Sequence, residues 1–120
     1  MRQAFAHEAV VVLDAGADAD ALGAAVTVAL CGHWDHPPPC PLAPHFSRSI
    51  HLSDGAVRVR VLFATEPDTE LAVRRRVEEA LGRGELVTAP DRVTRWELRS
   101  SRECPVDVDE RHHAERLVES

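Results

Sequence analysis

The chain has 120 residues, 44% of them hydrophobic, and a formal charge of −6. That length fits one domain with one modest core. The acidic balance argues against general nucleic-acid binding. No apolar run approaches the length of a membrane span, and the N-terminal M-R-Q-A-F-A-H lacks the apolar stretch of a signal peptide. All 14 basic residues are Arg, and rings come from three Phe and two Trp only, so the core must be built mainly from Val, Leu and Ala. Three cysteines, an odd number, do not read as a disulfide framework, and a reducing cytoplasm is the expected compartment.

In chain order, Glu8 to Leu13 is a short β-branched run suited to a buried central strand. Asp14-Ala-Gly16 ends it. Asp18 or Asp20 then offers a carboxylate to the orphan amides of a helix start. The helix runs to about Leu30, with Leu22, Val26, Ala29 and Leu30 facing the sheet. Proline removes an amide donor and fixes φ, so His36 to Pro44 is a stiff, extended loop. Phe46 to Leu52 reads as a strand, Ser53-Asp54-Gly55 as a hairpin turn, and Ala56 to Ala64 as a second strand. Its Val57, Val59, Val61 and Phe63 share one face, Arg58 and Arg60 the other.

Asp68 is placed to cap a second helix whose apolar stripe is Leu71, Val73, Val77, Ala80 and Leu81. Arg74, Arg75, Arg76, Glu78 and Glu79 are expected on its outside. Gly82 and Gly84 end it. Glu85 to Asp91 reads as a loop, and Val93 to Ser100 as a strand with Trp96 and Leu98 inward. The expected organisation is an α+β domain over 1–104 and a polar tail over 105–120, in which 109–118 has a weak helical stripe. The order β-α-β-β-α-β resembles the ferredoxin-like fold in outline over roughly residues 8 to 100: a four-stranded antiparallel sheet with both helices on one face and a long Pro-rich loop after the first helix. That fold hosts many functions, so function must come from a site.

The densest chemistry is C-G-H-W-D-H-P-P-P-C-P-L-A-P-H, from Cys31 to His45. Thiolate and imidazole suit zinc, copper(I) or nickel, and a stiff loop loses less entropy when its ligands are fixed. The expected ligands are Cys31, His33, His36 and Cys40, with His45 in reserve, zinc being the expected metal and Asp35 a partner for a ligand imidazole. The spacing C-x-H-x2-H-x3-C matches none of the common zinc, haem or metalloprotease patterns. Two alternatives stand beside the metal site. One is a small enzyme or enzyme subunit using His33, His36 or Cys40, since an imidazole can lower a neighbouring thiol's pKa. The other is a metal-free interaction module, in which the cysteines are small hydrophobes and the histidines face solvent.

Arg58, Arg60, Arg95 and Arg99 fall on the non-core side of two strands of one sheet. They form an expected contact face for a protein partner or for a second copy in a homodimer. No aromatic alternates with them, as single-stranded RNA readers require. Cys104 carries no expected role.

Overall fold

The computed structural model describes residues 1–31 and 43–119, the side chains of Cys31, Thr88 and Ala89 aside. Five strands, β1 (Gln3–Leu13), β2 (His45–Ser53), β3 (Ala56–Thr65), β4 (Glu85–Ala89) and β5 (Arg92–Cys104), form one sheet in the order β2-β3-β1-β5-β4. Every pairing is antiparallel. The helices are α1 (Asp20–Cys31), α2 (Glu70–Gly82) and α3 (Arg111–Glu119).

The four-stranded, two-helix expectation is therefore corrected to five strands and three helices. Glu85–Ala89, expected to be loop, is strand β4, paired through Leu86↔Thr94 and Val87↔Val93. Its amides pair with β5 at the sheet edge, where a short strand is tolerated. The polar tail also folds: a short 3-10 turn over Val108–Glu110 leads into α3.

The alternation along β3 sets the core. Val57, Val59, Val61 and Phe63 are all but fully buried, packed with Ala9 and Val11 of β1, with Leu22, Val26 and Leu30 of α1, and with Val73, Val77 and Leu81 of α2. At the hairpin between β2 and β3, Asp54 and Gly55 both take positive φ, 45° and 83°, as the tight turn there requires. Asp18 accepts the Asp20 amide at 2.9 Å, giving α1 the carboxylate start its sequence offers. Asp68 makes no such cap; Thr69 precedes α2 and has no side-chain cap bond. Leu71 is 65% exposed, outside the stripe it was expected to join.

The opposite sheet face carries a second, smaller core. Ala114 and Leu117 of α3 are buried, and Leu117 clusters with Ala6, Leu62 and Ala64. The face expected to stand open is thus capped at one end by a helix. Among the described residues, no helix is long and apolar enough to cross a membrane.

Candidate functional site

Four of the five expected metal ligands, Cys31, His33, His36 and Cys40, lie outside the described side chains, as does Asp35. Among the described residues no group of His, Cys, Asp and Glu converges in a way that could hold a metal. The two ends of the segment are described. Cys31 is the last residue of α1 and His45 the first of β2. His45 Nδ1 lies 3.2 Å from the carbonyl oxygen of Ala43. A carbonyl only accepts, so Nδ1 carries the proton, and in the neutral ring Nε2 keeps its lone pair. That Nε2 lies 3.2 Å from Thr27 Oγ1, whose hydroxyl is then the donor. Thr27 precedes Cys31 by four residues, one helical turn on the same face of α1. The fold thereby sets an imidazole against α1 one turn before the cysteine that ends the helix.

The arginine face is rearranged. Arg60 is 5% exposed. Its Nε and Nη2 bond the two oxygens of Glu110, each at 2.7 Å; Nη2 also donates to the Pro105 carbonyl at 2.7 Å. Nη1 reaches Glu8 Oε2 at 3.2 Å and Cys104 Sγ at 3.1 Å. Glu8 also accepts Arg102 at 2.9 Å and faces Arg58 at 3.6 Å. Hydrogen bonds from Arg60 hold the Glu110 carboxyl below the usual range, against burial. Burial works to raise Glu8, but Arg102, Arg58 and Arg60 outweigh it and its carboxyl is lowered too. Arg95 and Arg99 pair with Glu85 and Glu97 at 3.4 and 3.5 Å. The expected uncompensated strip is therefore a staple: Arg60 ties α3 and its lead-in to the sheet centre, and the other three face carboxylates. Sequence alternation placed Arg60 on the correct face but could not show that a distant Glu110 would fold over it.

A second buried cluster lies on the helical face. His7, 2% exposed, has Nδ1 at 3.0 Å from Arg74 Nη1 and Nε2 at 2.7 Å from Ser101 Oγ. Arg74 was expected outside, yet it is 7% exposed. It donates to Glu70 and to the Ala6 carbonyl, both at 2.7 Å, and covers the Phe5 and Phe63 rings. Ring faces attract a guanidinium, and the carbonyl and carboxylate satisfy its protons, so burial is tolerated.

The His7–Ser101 pair has the distances of a catalytic dyad but the opposite polarity. A guanidinium only donates, so His7 Nδ1 is the acceptor and Nε2–H donates to the serine oxygen. A base must have its lone pair on that oxygen's side. Burial, helped by the Arg74 charge, lowers the His7 pKa, which favours the neutral ring, and the Arg74 donor holds it in this tautomer. Burial pushes the Cys104 thiol up despite Arg60, so it is not an activated nucleophile.

One further feature was not anticipated from sequence. A cleft of about 480 Å³ opens between α1, α2 and β4, lined by Ala25, Val28, Ala29, Ala72, Ala80 and Leu86, with Arg75, Arg76, Arg83, Glu79 and Glu85 at its polar side.

No family model matches this chain, and no curated protein or solved structure matches it either.

Proposed function

We propose that this chain is a small accessory protein that binds a soft transition metal, zinc first, through the loop between α1 and β2. The observation that carries the reading is His45. Its Nδ1–H is committed to a backbone carbonyl, and its Nε2 faces α1, where it accepts the Thr27 hydroxyl, a bond that a metal would have to replace. Metal-binding histidines are commonly oriented by such a bond on the far nitrogen. Cys31 opens the same loop one turn from Thr27, and His33, His36 and Cys40 supply further soft donors within the ten residues of sequence that begin there. A reducing compartment, where thiolates stay free, fits this use. The alternative of an enzyme using His33, His36 or Cys40 rests on residues outside those described; the buried His7–Ser101 and Arg60–Cys104 contacts lend it no support, having the wrong polarity or protonation for catalysis.

Cobalt(II) titration of the full chain tests the proposal. The expected result is one equivalent bound with intense visible bands of a four-coordinate site containing thiolate, and loss of intensity in His45→Ala. Only weak bands of octahedral cobalt, the same in His45→Ala, would overturn it.

A second reading concerns self-association. Beyond α3 the sheet face presents Ile50, Arg58 and Val10 in adjacent register, next to Ala56 and Val12. Arg58 Nε is buried without a hydrogen bond among the described residues. A second copy covering this strip would bury its apolar side chains. Sedimentation equilibrium checks it: a dimer weakened by Val10→Asp supports it, a strict monomer at millimolar concentration does not.

A further inference from the structure

We infer that the cleft between α1, α2 and β4 binds a small organic anion with an apolar body. Three guanidinium groups, Arg75, Arg76 and Arg83, border it. None of them has an ion pair or side-chain hydrogen bond among the described residues. By contrast, Arg48, Arg58, Arg60, Arg74, Arg95, Arg99 and Arg102 each face a carboxylate. Two carboxylates also border the cleft, but Glu85 is engaged by Arg95 at 3.4 Å, leaving three cations against Glu79. On a chain of net charge −6 this is a local excess of positive charge.

The shape agrees with the charge. Ala25, Val28 and Ala29 of α1 meet Ala72 and Ala80 of α2 and Leu86 of β4. Four alanines cannot fill the space between two helices, so it stays open. Its volume of about 480 Å³ lies in the range of small-ligand sites, roughly 300–1,000 Å³. One side of the cleft is formed by small apolar residues and the other carries the guanidinium groups with Glu79 and Glu85, an arrangement that fits a carboxylate or phosphate head on a short alkyl or aryl body. Guanidinium forks bind both heads in a bidentate manner.

The test is a two-dimensional amide NMR titration of the full chain, with and without EDTA to separate it from any metal in the α1–β2 loop. The probes are hexyl phosphate, hexanoate, inorganic phosphate and uncharged hexanol. Saturable shifts centred on Ala29, Ala72 and Leu86 are expected with at least one of the alkyl anions. Inorganic phosphate and hexanol are each expected to bind at least tenfold more weakly. The double variant Arg76→Gln/Arg83→Gln should weaken the alkyl anion at least tenfold. Ala72→Glu, an exposed position, should abolish binding with the fold intact, while Arg99→Gln on the sheet should change nothing. Absence of saturable shifts with both alkyl anions, equal affinity in the double variant, or shifts centred elsewhere would overturn the inference.

Discussion

Arg60 shows how a single buried charge can organise a small domain. Its five donors meet two carboxylates, a carbonyl and a thiol. Removing one partner of such a pair leaves the others buried and unpaired, at a cost of about 3–5 kcal/mol. Arg60→Met should therefore destabilise the domain by that order in chemical denaturation. Adding Glu110→Leu should cost less than the sum of the two single changes, because the orphaned carboxylate is gone. Additive costs would show that the pair is not coupled.

His7 makes a second residue-scale prediction. Arg74 and Ser101 contact it, and Glu78, Glu103 and Glu70 (the last through Arg74) are the carboxylates around it. Its folded pKa lies below the unfolded value, about 6.5. The unfolded chain thus takes up the proton first. The His7 contribution is fully present above pH about 6.5 and is lost as pH falls from there toward the lower folded pKa. Glu8 and Glu110, also lowered, lose theirs only below pH about 4.3. Stability measured from pH 7.5 to 5 should decline in the parent and decline less in His7→Gln. Parallel curves would contradict the assignment.

At the scale of elements, α2 and β4 meet at Gly84. Its φ is 74°, and a Cβ there would stand 2.8 Å from the Trp96 carbonyl oxygen. The same close approach carries the Trp96 amide to the Gly84 carbonyl at 2.9 Å, and the Trp96 indole donates to the Leu81 carbonyl at 2.8 Å near the end of α2. Gly84→Ala should cost about 1–3 kcal/mol through the strained φ and the clash. Gly16→Ala, at φ 77° with nothing within 4 Å of the added Cβ, should cost less, about 1 kcal/mol. Equal midpoints for the two variants in thermal melts would remove the role given to the Trp96 contact.

The same region shows where sequence reading stops. The alternation at Val57 to Phe63 was legible because one face of β3 is buried along its whole length. β4 was not, because it is five residues long, at an edge, with Val87 59% exposed. Burial there barely constrains the pattern. The usable signal was Pro90-Asp91, a turn between two alternating segments. The stripe of α3 is short, and its hold on the sheet depends on Glu110 meeting Arg60 fifty residues away, which no local pattern records.

At the scale of the molecule, the two faces of the sheet have different work. One carries the main core under α1 and α2; the other is drawn together by charge under α3. The α1–α2 cleft opens from the helical layer, and the segment rich in soft donors follows the end of α1 in sequence. The sequence marked the loop by its soft donors but could not mark the cleft. The cleft exists because alanines fail to fill a gap, and a missing contact leaves no motif. Nor could sequence separate Arg60 and Arg74, which are buried, from Arg75, Arg76 and Arg83, which have no ion pair among the described residues. That difference is decided by partners from other elements.

The central claim is the metal, and elemental analysis of protein purified without an affinity tag tests it most directly. The parent, Cys31→Ser, Cys40→Ser and His45→Ala are compared at equal concentration, with amide NMR to check that each is folded. The account predicts about one zinc per chain in the parent, bound more weakly as pH drops because ligation needs thiolate and neutral imidazole. It predicts a substantial loss of metal in each variant without unfolding, since the sheet has its own apolar core. Sub-stoichiometric metal in the parent, unchanged in all three variants, would contradict it.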